Sequence, residues 1–200
     1  MSTNPSTRMS ADNSPIQAAQ AWWWYRRLPG LDEGARCERA RTSPRCQQGK
    51  PRSLVLVDLE NVVGLPPRQI TRDAAQVAFE EVTRLAHFDV GSDLLVVAVN
   101  PNLAFLAHSV APGARLKTRH GENGADLCLV EELSDLRLLR ERFGRVVVAS
   151  GDGIFAEPVA AARAGGIEAV VLSRRAGLSR RLRLAAHEAR YLGDSALQVA

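Results

Sequence analysis

A short apolar run that ends in an acid constrains this sequence more than any other stretch. Residues 54–57 read Leu-Val-Leu-Val, lie between Pro51 and Gly64, and are followed directly by Asp58. A run of this length and composition, bounded by turn residues, predicts a strand that is buried on both faces. Open α/β sheets bind ligands at the carboxyl ends of such strands, and a buried carboxylate costs free energy unless it is paired or binds a cation. Asp58 is therefore the first candidate functional residue.

Strands and helices alternate along the chain after this first strand. Apolar runs predict four more strands, at 94–99, 114–118, 146–149 and 167–172. Helical spacing predicts helices near 70–85, 103–108 and 155–162, a single helix from about 124 to 143, and one basic amphipathic helix at 173–191. Connections of this length suit parallel crossovers, so the sequence predicts an α/β fold with a mostly parallel central sheet flanked by helices.

Basic residues are concentrated at the N-terminus. The 200-residue chain has a net charge of +4, and residues 1–52 contain nine Arg or Lys and four Asp or Glu. This leaves 17 basic and 18 acidic residues in 53–200. We predict a basic, largely disordered arm at 1–52, a domain at 53–192 and a C-terminal tail at 193–200.

Three tryptophans stand together in the predicted arm: Trp22, Trp23 and Trp24, followed by Tyr25 and two arginines. Aromatic rings beside cations suit single-stranded nucleic acid. Three consecutive residues cannot share one helical face. The favoured interpretation is therefore that these rings dock on the domain itself or on a partner, which is either another protein or a second copy of the chain.

The apolar pattern argues against a membrane protein. No apolar run approaches the roughly 18 to 20 residues that cross a bilayer, and the N-terminal residues are polar. The three cysteines are an odd number and are too widely spaced for a paired zinc knuckle. We expect a cytoplasmic protein without a membrane partner.

Two more acids occupy positions comparable to that of Asp58. Asp152 lies in a Ser-Gly-Asp-Gly turn directly after the predicted strand at 146–149, and Asp126 opens a predicted helix. Each acid taken alone is explained as readily by a turn or a helix N-terminus. Together, three converging carboxylates would repel one another unless a cation held them. Hard divalent cations prefer such oxygen ligands, so Mg²⁺ or Mn²⁺ is the predicted cofactor.

Metal-assisted hydrolysis of a phosphodiester is the chemistry that this cluster predicts. Asn61 and Ser150 can hydrogen-bond a ligand, a water or a phosphate. Gly151 and Gly153 permit the close backbone approach that a phosphate requires.

Three motifs in chain order resemble those of the NYN domain. They are Asp58-Leu59-Glu60-Asn61, Gly124-Ala125-Asp126-Leu127, and Ser150-Gly151-Asp152-Gly153-Ile154-Phe155 with Pro158. That family belongs to the PIN-like nucleases, which have a Rossmann-like three-layer fold and are associated with metal-dependent cleavage of RNA. The resemblance covers roughly residues 53–173. It implies that Asp58, Asp126 and Asp152 are metal ligands, with Asn61 and Ser150 in support.

One position departs from that family's pattern. Many members carry a second acid two residues after the strand-end Asp, where this chain has Ile154. A missing carboxylate weakens the second of two metals most. Glu60 and Glu157 are the auxiliary candidates that would compensate for it.

Arginines near the predicted crevice are candidate contacts to an RNA backbone. They are Arg119, before the loop that leads to Asp126, and the later group Arg174, Arg175, Arg180 and Arg181. Phosphate contacts of this kind position a substrate without reading its sequence. For the later group, a solvated helix face is an equally good explanation.

The sequence thus predicts a metal-dependent ribonuclease, an endonuclease that hydrolyses RNA phosphodiester bonds. Two rivals stay open. A binding module of the same fold would hold RNA or a protein without cutting, because Ile154 leaves the acidic set incomplete. A phosphatase or receiver-like domain would use Asp58 as a phosphoryl acceptor, although the chain lacks an Asp-x-Asp sequence there.

Overall fold

The computed structural model describes residues 51–193. The predictions for the arm at 1–52, with its three tryptophans, and for the tail at 193–200 lie almost entirely outside the described residues. None of the helices within 51–193 has the length and apolar character that a bilayer crossing requires.

A six-stranded parallel sheet forms the centre of the described fold. Its strands are β1 (Ser53–Asp58), β2 (Leu94–Val99), β3 (Arg115–Thr118), β4 (Arg145–Ala149), β5 (Glu168–Arg174) and β6 (Glu188–Leu192). Their order in space is β3-β2-β1-β4-β5-β6, and every neighbouring pair is parallel. This is the Rossmann order, in which the strand sequence reverses between β1 and β4 and leaves a crevice at their carboxyl ends.

Helices cover both faces of the sheet and complete three layers. They are α1 (Leu59–Val63), α2 (Arg72–Ala86), α3 (Ala104–Val110), α4 (Gly124–Glu132), α5 (Leu136–Arg142), α6 (Ala156–Ala164) and α7 (Arg180–Ala185). Single 3₁₀ turns lie at Pro67–Gln69, Pro101–Leu103 and Gly153–Phe155. The predicted α/β, Rossmann-like three-layer fold is confirmed.

The sheet separates two hydrophobic cores. Val55 and Val57 of β1 belong to the core under α1, α2 and α3, whereas Leu54 and Leu56 belong to the core under α4, α5, α6 and α7. Successive side chains of a strand point to opposite faces, so both sets are buried. This two-sided burial explains why β1 reads as a continuous apolar run.

The single helix predicted from 124 to 143 is wrong, because two helices occupy that stretch. α4 ends at Glu132, and the carboxylate of Asp135 accepts the backbone N–H of Leu138 at 2.9 Å, which caps a new helix. The apolar spacing runs through the break because both helices pack on the same core.

The basic helix predicted at 173–191 is also wrong. β5 continues to Arg174, α7 is only six residues long, and the chain then forms β6. β6 lies at the edge of the sheet, and among its five residues only Leu192 is buried. A half-buried edge strand lacks the apolar run by which the other strands were predicted.

Candidate active site

The crevice at the strand-order reversal holds the side chain of Asp58. This residue ends β1 and is 5% exposed. Oδ1 of Asp58 accepts the backbone N–H of Asn61 at 3.2 Å, and Oδ2 accepts the hydroxyl of Ser150 at 3.4 Å. Ser150 follows β4 directly, so the parallel pairing of β1 with β4 brings these two residues together. The prediction that Asp58 lies at the carboxyl end of a buried central strand is confirmed.

Asp126 approaches the same crevice from the first turn of α4. The loop before it contains Asn123 in the left-handed region, with φ 58°. A Cβ on Gly124 would collide with the carbonyl oxygen of Arg119, so this tight loop requires glycine there. Oδ1 of Asp126 is buried and, with both carboxyls ionised, receives no hydrogen bond from residues 51–193.

The two carboxyl groups of Asp58 and Asp126 perturb each other's titration. Burial raises the pKa of Asp58 well above its ordinary value, and the negative charge of Asp126 raises it further. Burial also raises the pKa of Asp126, although its hydrogen bond with Asp58 opposes that rise. Without a cation, the crevice thus disfavours two ionised carboxyls side by side.

Asn61 links the two sides of the crevice. Its backbone N–H donates to Asp58, and its side-chain oxygen accepts the backbone N–H of Gly151 at 2.9 Å. The Ser150 hydroxyl in turn accepts the backbone N–H of Asp152 at 3.2 Å. Both predicted supporting residues thus lie at the site and hold the loop after β4 against the end of β1.

Asp152 lies at the rim of the crevice. Its side chain is exposed, and Oδ1 accepts the backbone N–H of Ile154 at 2.9 Å, which caps the 3₁₀ turn. Its negative charge nevertheless raises the pKa of Asp126. The fold therefore pairs Asp58 with Asp126 and keeps Asp152 near them, with one oxygen committed to the backbone.

Of the two auxiliary acids, Glu60 lies near the pair. Its charge raises the pKa of both Asp58 and Asp126, and Oε1 accepts the backbone N–H of Asn100 at 2.6 Å. Glu157 is exposed in the first turn of α6. The carboxylates outside the pair that act on its titration are Glu60 and Asp152.

The fit of this site to a divalent cation depends on the Asp58–Asp126 pair. Within residues 51–193, no three side chains of His, Cys, Asp or Glu gather closely enough to hold a metal ion as they stand. Mg²⁺, however, usually keeps several waters and binds through one or two carboxylates. Two facing carboxylates and a buried Asp126 oxygen without a donor fit such a hydrated ion. Asp152 and Glu60 would then act through water.

The candidate RNA-binding arginines have different surroundings. Arg119 forms an ion pair with Glu131 at 2.7 Å. Nη1 of Arg174 lies 3.5 Å from the carbonyl oxygen of Gly64. The guanidinium of Arg175 lies 4.2 Å from the ring centroid of Tyr191. The exposed residues Arg180 and Arg181 begin α7, which packs on the 3₁₀ turn that Asp152 caps. These last two therefore lie on a helix that contacts the turn of Asp152.

Sequence reasoning missed the packing around Gly151. A Cβ on this residue would collide with the carbonyl oxygen of Gly177 and lie 2.6 Å from Oγ of Ser173. The backbone N–H of Ser179 also donates to the carbonyl oxygen of Gly151 at 2.8 Å. The close approach expected from a phosphate at this glycine is thus made by the chain's own backbone. Gly177 and Ser179 follow β5, whereas Gly151 follows β4, so no local sequence pattern predicts the contact.

Comparison with solved structures shows a likeness in fold. The chain is similar to a crystal structure of a protein of unknown function from Vibrio parahaemolyticus, with a TM-score of 0.52 and 15% sequence identity. The match covers 75% of this chain and 98% of the other. This likeness shows the fold alone. No model of a known protein family matches the chain, and no curated protein matches it either.

Proposed function

We propose that this protein is a divalent-metal-dependent ribonuclease that hydrolyses RNA phosphodiester bonds. The observation that carries the proposal is the contact between two carboxyls, Asp58 and Asp126, at the reversal point of a Rossmann-like sheet. Ligands of open α/β sheets bind at this point. The three ordered motifs that resemble the NYN domain support RNA as the substrate and Mg²⁺ or Mn²⁺ as the cofactor.

On this proposal, different residues of the crevice would bind the cation, position its ligands and contact the RNA. Asp58 and Asp126 would hold the cation, which, when bound, stabilises the charge that develops on a phosphodiester under attack by water. Asn61 and Ser150 fix the position of Asp58 through their hydrogen bonds. Arg180 and Arg181 would attract the phosphates of the strand beside the cut.

The test is cleavage of end-labelled single-stranded RNA by the purified full chain, with Mg²⁺, with Mn²⁺ and with a chelator. We expect cleavage in either metal and none with the chelator. Asp126→Asn should abolish it, because one carboxylate and a neutral amide hold a cation poorly. Glu141→Gln, which changes an exposed acid on α5 that pairs with Arg137, should cleave as the unmodified protein does.

A binding module that does not cut is the second candidate function. Two observations favour it. Ile154 stands where many NYN proteins have an acid, and one carboxylate oxygen of Asp152 already accepts the backbone N–H of Ile154. On this alternative, the protein binds RNA equally well with metal and with chelator, and no product appears in any lane. Retained binding without cleavage would therefore replace the nuclease proposal with this one.

A further inference from the structure

The 3₁₀ turn at Pro101–Leu103 and the helix α3 that follows it present three exposed side chains at regular spacing. Asn102, Phe105 and His108 follow one another at intervals of three residues, and intervals of three place side chains along the same side of a helix. The opposite side carries Ala107 and Val110, which are buried in the core. We call Asn102, Phe105 and His108 the α3 strip.

Phe105 stands out within the α3 strip because 87% of it is exposed. A phenylalanine that packs on its own domain would be buried, as Phe79 and Phe155 are. Its neighbours in the strip are an amide and an imidazole, so within the strip the ring lies between polar side chains. A protein-docking surface would instead present several apolar side chains together.

The α3 strip begins at the same edge of the sheet as the acidic crevice. The 3₁₀ turn that precedes α3 follows the carboxyl end of β2, which pairs with β1. The backbone N–H of Asn100, at the start of this turn, donates to Glu60, and the Glu60 carboxylate acts electrostatically on both Asp58 and Asp126. One hydrogen bond thus joins the start of the strip to the surroundings of the acid pair.

An exposed ring with hydrogen-bonding neighbours suits an unpaired nucleobase. Bases of single strands stack on aromatic side chains and use their edges for hydrogen bonds, whereas bases in a duplex are already stacked. Asn102 offers both a donor and an acceptor, and His108 offers a second ring or a ring nitrogen.

We propose that Phe105, flanked by Asn102 and His108, stacks on an unpaired base of a single-stranded RNA whose backbone runs past Asp58 and Asp126. This inference rests on the proposed function and adds to it the class of substrate, which is single-stranded rather than duplex RNA. It also gives the strand a path, from the acid pair across the carboxyl end of β2 to α3.

The test measures binding without cleavage. The full chain is titrated, in a chelator, into a short single-stranded RNA of mixed sequence that carries 2-aminopurine, whose fluorescence reports stacking, and into the same RNA as a duplex. Phe105→Ala should weaken single-strand binding about 5- to 150-fold and lose the stacking signal. Phe105→Tyr, which keeps the ring, should bind within about threefold of the unmodified protein. Val77→Ala, a change at a side chain of α2 that is 65% exposed, is the matched control and should have no effect.

The outcomes separate this inference from the function on which it rests. If the unmodified protein binds the single strand and Phe105→Ala binds it equally well, the stacking role is wrong and the ribonuclease proposal is untouched. Equal losses for the single strand and the duplex would also overturn it, because duplex bases cannot stack on the ring. If the unmodified protein binds no RNA in chelator or in metal, both proposals fail.

Discussion

At the scale of single residues, the site is defined by two carboxyls that the fold holds in contact. The Asp58 carboxylate accepts hydrogen bonds from the backbone N–H of Asn61 and the hydroxyl of Ser150. Hydrogen bonds of this kind favour the charged form of a carboxyl. Burial and the nearby Asp126 oppose ionisation more strongly, since the pKa of Asp58 is raised overall. Without a cation, this arrangement lowers the stability of the folded protein at neutral pH.

The first prediction is that Asp126→Asn stabilises the metal-free protein at neutral pH. A carboxyl whose pKa is raised by folding does not destabilise the folded protein below its unfolded pKa of about 3.8. As the pH rises through the raised folded value, that carboxyl lowers the free energy of unfolding. Replacing Asp126 by a neutral amide removes the repulsion from Asp58. Asp126 is partly solvated and screened, so the gain should not exceed about 1 kcal/mol.

Urea unfolding in chelator, in steps from about pH 3 to about pH 8, measures this difference. The steps extend above the ordinary range of carboxyl titration, roughly 3 to 5, because folding raises the pKa of both carboxyls. The advantage of Asp126→Asn over the unmodified protein should vanish at the acid end. Added Mg²⁺ or Mn²⁺ should reverse it, because a cation stabilises only the protein that binds it. A variant that is less stable than the unmodified protein in chelator at neutral pH would contradict the account.

At the scale of elements, the loop after β4 is fixed from two sides. The side chain of Asn61, in α1, holds the N–H of Gly151, and the backbone of Ser179 holds its carbonyl oxygen. Gly151 also packs against Ser173 near the end of β5 and against Gly177. Gly151 thus joins the candidate site to the segment that leads into α7.

The second prediction is that Gly151→Ala disturbs both folding and activity. Its Cβ would collide with the carbonyl oxygen of Gly177, so the loop must shift, and we expect a loss of about 1 to 3 kcal/mol in the free energy of unfolding. Cleavage should fall as well, because the shift moves Asn61 and Ser150 away from Asp58. Urea unfolding and the RNA cleavage assay measure the two effects.

Gly113→Ala is the matched control for this substitution. A Cβ on Gly113 meets nothing within 4 Å, so the change should be close to neutral in both assays. Equal losses at Gly151 and Gly113 would show that backbone flexibility, rather than the collision with Gly177, is responsible.

At the scale of the whole molecule, the two halves of the sheet meet along a single seam. Strands β1 to β3 and strands β4 to β6 join through the pairing of β1 with β4, and the Asp58–Ser150 hydrogen bond lies at the end of that seam. Both cores and all six strands of the described part of the chain lie between residues 53 and 192.

The third prediction is that the fragment 51–200 folds by itself. A chain that contains both cores and every strand of the sheet has the contacts that a cooperative domain needs. We expect a single unfolding transition in urea, with a midpoint within experimental error of that of the full chain. A broad transition, or a clearly lower midpoint, would show that residues 1–50 contribute to the core.

Much of this fold could be predicted from sequence because its strongest signals are local. The apolar run before Asp58 predicted a strand buried on both faces, and the strands at 94–99 and 146–149 were found in the same way. These central strands are covered by helices, so almost every residue in them must be apolar. The edge strand β6 and the break between α4 and α5 gave no such signal.

The chain by itself therefore determined which segments become central strands, and that one acid ends β1 while another lies shortly after β4. Only the tertiary structure decided that Asp58 contacts Asp126 while Asp152 stays at the rim, and that Gly151 packs against Gly177. The physical reason is that burial and periodicity act over a few neighbouring residues. Contacts between residues 58, 126 and 150, by contrast, depend on the order in which distant strands pair.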